Sequence, residues 1–196
     1  MKIIILRHGY RFKSPLYFTP LNDKGLKQAD ELVDILKVFD IDTIYVSPFL
    51  RVIQTIYPYC IDTNKKINIE NTFYESMDSE EFNYYNYRHG INELKITYPH
   101  LMKIINERYS SHLFVSNISY VETERLVMNR IYPFIYNMIM EYKATEKIFL
   151  IATHGTICNA IKKYFNSDIK LNDEFPEGTL EVINVPKDGI GPTNIK

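Results

Sequence analysis

Ile3-Ile4-Ile5-Leu6 is an unbroken apolar run that stops at Arg7-His8-Gly9. Four apolar residues with no polar alternation predict a strand buried on both faces, as in a parallel sheet covered by helices. In open sheets of that kind, ligands bind in the crevice beyond the carboxyl ends of the strands. Here that end carries a cation and an imidazole. Gly9 lets the backbone turn and removes a side chain where a ligand would approach. Arg11 follows two residues later. Two guanidinium forks around one imidazole suit a phosphate or a carboxylate.

The same design recurs far downstream. Ile148-Phe-Leu-Ile-Ala-Thr153 is a second buried strand, and it ends in His154-Gly155 before a helix from Thr156 to about Phe165. Between the two, Asn22 or Asp23 caps a helix with Leu26, Ala29, Val33, Leu36 and Phe39 on one face. Thr43 to Val46 is a short strand. Ser47-Pro48 then opens a helix, with Ser47 as its cap and Arg51 in its first turn, where the helix dipole also favours an anion. Lys66 to Glu70 is a third strand, and Glu93 to Tyr109 has helical spacing interrupted by Pro99. Val121 to Tyr142 is a long apolar-periodic helix that Pro133 should kink or divide. Thr179 to Val185 alternates in polarity and reads as a fifth strand near an edge. Strands alternating with helices predict an α/β fold: a doubly wound, mostly parallel sheet with helices on both faces. We expect one domain over residues 1–196, with an insertion at about 76–120 over the strand ends.

Leu6-Arg7-His8-Gly9 resembles the signature of the histidine phosphatase superfamily, which includes phosphoglycerate mutases and many phosphatases. Ser47-Pro-Phe-Leu-Arg51-Val-Ile-Gln54-Thr55 is similar to its second motif, and the strand ending in His154-Gly155 to its last. Arg88-His89-Gly90 repeats the tripeptide without an apolar strand before it and reads as chance. The resemblance implies a phosphoglycerate mutase-like fold and a metal-independent phosphatase. His8 would be the nucleophile, forming a phosphohistidine. Arg7, Arg51 and Arg11 would hold the phosphoryl oxygens, His154 would be a further donor, and Glu75 the proton donor. Asp78, Glu80 and Glu81 are rivals to Glu75, because the glycine-rich sequence usual after that glutamate is missing. Tyr10 stands where many members have glutamate, while Arg7-His8-Gly9-Tyr10-Arg11 is similar to the Arg-His-Gly-x-Arg of histidine acid phosphatases and of the ecdysteroid-phosphate phosphatase branch. The alternatives are a phosphoglycerate mutase and a catalytically weak phosphate-binding regulatory module.

Composition narrows the partners. A net charge of −1 over 196 residues supplies no basic field for nucleic acid or an anionic membrane surface. Basic residues do gather near the amino terminus, where Lys2, Arg7, Arg11, Lys13, Lys24 and Lys27 face only Asp23 before residue 28. A phosphorylated small molecule or phosphoprotein is the expected substrate, with no cofactor and no metal. Cys60 and Cys158 are the only cysteines and form no disulfide framework or zinc spacing. No apolar run has transmembrane length and no signal-peptide pattern is seen, so a cytoplasmic protein is expected. A homodimer is compatible with the sequence.

Overall fold

The structure is a computed structural model that describes residues 1–14, 16–77, 89, 91–119 and 121–187. Its strands are β1 (Lys2–Arg7), β2 (Thr43–Val46), β3 (Ile67–Ile69), β4 (Ile148–Thr153) and β5 (Leu180–Asn184), and its α-helices α1 (Asp23–Lys37), α2 (Leu50–Thr63), α3 (Ile91–Thr97), α4 (Glu124–Tyr142) and α5 (Gly155–Phe165). The strands form one sheet in the order β3-β2-β4-β1-β5. β1, β2, β3 and β4 run parallel, and β5 runs antiparallel along β1. This is the mostly parallel α/β sheet expected, with the alternating fifth strand at its edge.

The apolar run of β1 is continuous because both of its faces are covered. Ile4 and Leu6 pack with Leu32 and Leu36 of α1 and with Val52, Ile53 and Ile56 of α2. Ile3 and Ile5 point the other way, into a second core with Ile131 and Ile135 of α4 and Ile157 and Ile161 of α5. Burying each such side chain contributes roughly 1.5–3 kcal/mol.

Three local expectations need correction. In α1 the buried face is Gly25, Ala29, Leu32 and Leu36, whereas Leu26 is 45% exposed. The helix turns Gly25 inward because a Cβ there would lie 1.9 Å from the Tyr10 carbonyl oxygen. Only glycine permits this approach to the loop after β1. Asn22, as expected, caps α1 by accepting from the Gly25 N–H. Ser47 does not cap α2. The N-cap is Phe49, with no side-chain hydrogen bond, and the Ser47 hydroxyl is used elsewhere. Pro133 does not divide α4, which runs through it. Ile131, Phe134 and Ile135 are buried on both sides of the proline and hold the two halves on the sheet. The spacing from Glu93 to Tyr109 is interrupted at Pro99 as expected: α3 ends at Thr97 and a 3-10 turn spans Pro99–Ile104, since Pro99 has no N–H to continue the ladder.

Candidate active site

Sheet register alone brings most of the site together. β1 and β4 are parallel neighbours with Arg7 opposite Thr153, and the His8 N–H donates to the Thr153 carbonyl at 3.0 Å. The residues that follow, His8 and His154, therefore emerge side by side, with ring centroids 5.3 Å apart. β2 lies on the other side of β4, and the Ser47 N–H donates to Ala152. That places Ser47 beside His154 and starts α2 so that Arg51, its second residue, faces the same edge.

His8 is 2% exposed. Its Nδ1 lies 2.8 Å from the Gly9 carbonyl, which can only accept, so Nδ1 carries the proton and Nε2 keeps its lone pair. Burial, then the charges of Arg51 and His154, hold its pKa well below the ordinary histidine value. The result is a neutral imidazole with a free nucleophilic nitrogen beside a cation. The Gly9 N–H donates to Thr55 Oγ1, which itself donates to the Arg51 carbonyl. The loop carrying His8 is thereby tied to the helix carrying Arg51.

His154 is fully buried. Its Nδ1 lies 3.0 Å from Glu75 Oε2 and its Nε2 2.9 Å from Ser47 Oγ. A carboxylate only accepts, so Nδ1–H donates to Glu75 and the Ser47 hydroxyl donates to Nε2. Burial brings the His154 pKa down to about 4, against the pull of Glu75. Arg51, also fully buried, has Nη2 3.6 Å from Glu75 Oε2 and Nη1 2.9 Å from the Leu16 carbonyl. Burial lowers its pKa to about 9, with Glu75 opposing, so it stays a cation at neutral pH. Phe49 packs beneath both groups, 4.5 Å from the Arg51 guanidinium and 4.8 Å from the His154 ring. Burial alone would push the Glu75 carboxyl up, but His154, Arg51 and His8 together hold it well below the usual carboxylate range.

Arg7 lies across the start of α5. Its Nη1 donates to the Phe175 carbonyl, Nη2 is 3.6 Å from Glu177 Oε1, and its buried Nε has no partner among the described residues. A Cβ on Gly155 would lie 3.3 Å from this guanidinium, so the glycine leaves room for it. Arg11 is held differently. Its Nη1 donates to the carbonyls of Phe12, Lys13 and Ser14, each at 2.9 Å. The structure thus brings His8, Arg51, Glu75 and His154 into contact range, with Arg7 beside them and Arg11 spent on its own loop. Asp78, Glu80, Glu81, Arg88 and Gly90 lie outside the described residues. His89 packs on Tyr17 and Phe18, and His100 on Tyr57. His112 sits against Glu70, whose buried carboxylate also accepts from Thr72, Tyr109 and Ser111.

Several contributors carry no local signal in the sequence. Glu177 is far from any motif. Gln28 bridges the Tyr10 N–H and the Glu177 carbonyl. Ser47 reads as a cap, but its position one residue beyond β2 is the signal that it faces the ligand edge. Among the described residues, His8, Glu75 and His154 are the group whose ligand atoms lie within 4.8 Å of one another, near enough to hold a metal ion. The Arg51 guanidinium, 3.4 Å from His154 Nδ1, repels a divalent cation there and attracts an anion.

Residues 3–185 match the model of the histidine phosphatase superfamily, branch 1. The chain belongs to that superfamily. Its structure is similar to that of the ecdysone phosphate phosphatase of Bombix mori in complex with tungstate, with a TM-score of 0.69 at 14% identity, covering 100% of this chain and 95% of that one. It is also similar to a putative alpha-ribazole-5'-P phosphatase from Escherichia coli, with a TM-score of 0.64 at 18% identity over 94% and 91% of the chains. A mycobacterial glucosyl-3-phosphoglycerate phosphatase matches with a TM-score of 0.64 at 14% identity over 93% and 92%. At these identities the likeness is one of histidine phosphatase fold. Comparison with curated proteins finds no match. Among the described residues no helix is long and apolar enough to cross a membrane.

Proposed function

We propose that this histidine phosphatase-fold protein is a metal-independent phosphomonoester phosphatase working through a phosphohistidine on His8. One observation carries the reading. His8 keeps an unprotonated Nε2, because its Nδ1–H is bound to Gly9, in a pocket whose nearest charges include the Arg51 cation. Nε2 attacks phosphorus while Arg7 and Arg51 neutralise the phosphoryl oxygens and His154 Nδ1–H donates to them. The ester oxygen leaves with a proton from Glu75. The Glu75 carboxylate then takes a proton from water, whose oxygen attacks the phosphohistidine and releases free phosphate. The chain acts as one domain in the cytoplasm, with residues 76–120 shaping access, and its substrates are phosphorylated small molecules or phosphoproteins.

Glu75 is ionised in the free protein, so it must gain its proton on binding. A phosphate dianion that takes over Arg51 and His154 removes the groups that depress the carboxyl and places negative charge beside it. Both effects raise its proton affinity. Arg11 reaches phosphate by giving up one or more of its loop carbonyls, and Arg11→Ala should then raise KM for every phosphomonoester alike. An unchanged KM leaves Arg11 as a loop brace.

The test is a rapid quench with a phosphorus-labelled phosphomonoester. Label on the protein that survives base, is lost in acid and is absent from His8→Ala supports the mechanism. Turnover by His8→Ala without label would overturn it, and phosphate binding without label or turnover would make the protein a regulatory module. Incubation with 3-phosphoglycerate, with and without 2,3-bisphosphoglycerate, separates the mutase. Interconversion of phosphoglycerates faster than phosphate release would replace hydrolysis with transfer.

A further inference from the structure

From Tyr74 to Met77 the chain belongs to no helix or strand, yet a proton donor must be held to within about 0.5 Å. Side chains from elsewhere supply the missing rigidity. The Arg130 guanidinium on α4 donates to the Thr72 carbonyl, to Tyr74 O at 2.9 Å and to Glu75 O at 3.3 Å. Thr153 Oγ1, one residue before His154, donates to Phe73 O at 2.8 Å. Four successive carbonyls are therefore held, three of them by one side chain. Glu122 fixes that side chain with two contacts, Nε to Oε1 at 2.7 Å and Nη2 to Oε2 at 2.9 Å. Glu122 also grips the far end of the segment. Its Oε2 accepts from the Met77 N–H at 3.1 Å, and its own N–H donates to Met77 O at 2.6 Å.

We infer that Arg130 and Glu122 are positioning residues for Glu75, a pair that sets the acid's geometry without touching the phosphoryl group. The inference rests on Glu75 being the proton donor. Their side chains are 6% and 2% exposed, and a buried ion pair stabilises less than apolar packing of the same volume. Apolar residues, however, could not hold the carbonyls of residues 72, 74 and 75. A lysine keeps the charge but has one nitrogen in place of a planar five-donor fork, so it cannot serve Glu122 and three carbonyls together. With the backbone gripped, Glu75 Oε1 accepts from the Ser76 N–H at 3.0 Å while Oε2 is turned to His154.

The experiment compares kcat and KM for p-nitrophenyl phosphate, whose leaving group needs little protonation, with those for glycerol 2-phosphate, whose leaving group needs it. The variants are Arg130→Lys, Arg130→Ala, Glu122→Gln, Glu75→Gln and the Arg130→Lys/Glu75→Gln pair. Arg130→Lys should lower kcat roughly 10-fold or more for the alkyl ester and less than about 3-fold for the aryl ester, with KM within about 2-fold for both. Added to Glu75→Gln, it should cost the alkyl ester nothing further. Glu122→Gln should give a smaller loss of the same selectivity. If Arg130→Ala does not fold, Arg130→Lys and Glu122→Gln, checked by thermal unfolding, decide the matter. Equal losses on the two esters, or additive losses in the pair, would overturn the positioning role alone. A Glu75→Gln loss that is itself unselective would remove the acid assignment and this inference with it.

Discussion

Two histidines end neighbouring strands in the same way, and their hydrogen bonds separate their chemistry. His8 gives its Nδ1 proton to Gly9 and keeps Nε2 free. His154 is bonded on both nitrogens, to Ser47 and Glu75, and cannot attack. His8→Ala should therefore leave no more than a trace of phosphatase activity in a folded protein, whereas His154→Ala should cost roughly 10²-fold, the scale of one lost transition-state donor. Ser47→Ala removes the hydroxyl that donates to His154 Nε2 and holds the ring with its Nδ1–H on Glu75. Its kcat should fall about 10-fold, as for other partners that orient a reacting group's neighbour, and the Ser47→Ala/His154→Ala pair should be no worse than His154→Ala. A Ser47→Ala enzyme at full kcat would reduce the hydroxyl to a space-filler. Neither tautomer was legible in the sequence, because a histidine's proton goes where its neighbours can accept it.

At the scale of elements, α1 and the loop after β1 meet backbone to backbone. Gly25 faces the Tyr10 carbonyl, the Asn22 N–H donates to that same carbonyl at 3.0 Å, and Asn22 Nδ2 donates to Arg11 O. Gly25→Ala forces this loop, two residues from His8, to move. Urea unfolding should show a loss of about 1–3 kcal/mol, the usual cost of overpacking, and activity should fall in protein that remains folded. A Gly25→Ala protein as stable and active as the parent would mean the loop has slack that the structure does not show. The amphipathic pattern placed α1 correctly but chose Leu26 over Leu32 for its buried face, since residues 26 and 32 lie near opposite borders of the stripe. The neighbour that decides between them is Tyr10, and periodicity within a helix carries no information about it.

Across the whole molecule, buried titratable groups make stability depend on pH. Burial holds His8 and His154 below the ordinary histidine value of 6.5, His154 at about 4. Unfolding lets both take up protons that the folded state refuses, so the unfolded chain binds more protons below that value and stability falls as pH drops. Each histidine contributes up to about 1.4 kcal/mol per pH unit. Glu75 and Glu70, held low despite burial by charged and hydrogen-bonding neighbours, add their loss once pH passes down through the carboxylate range. The urea midpoint should be clearly lower at pH 5 than at pH 7. An equal or higher midpoint would mean the histidines are protonated in the folded state. Phosphatase activity should survive EDTA, because Arg7 and Arg51 supply the positive charge at this edge. Loss on chelation, restored by a divalent ion, would put a metal in their place. Apolar runs and His-Gly breaks are local signals, so the strands, the burial of β1 and β4 on both faces and the residues at their ends can be read from the order of residues alone. That order also holds the motifs that place the chain in its superfamily. That Ser47 serves His154, that Arg11 holds its own loop and that Arg130 and Glu122 grip the segment of Glu75 emerges from the folded chain alone. The Arg11 carbonyls are one to three residues away, and a loop conformation without periodicity brings them together; the other partners are 45 to 107 residues apart, and hydrogen bonds across such distances follow from how the two cores pack against the sheet.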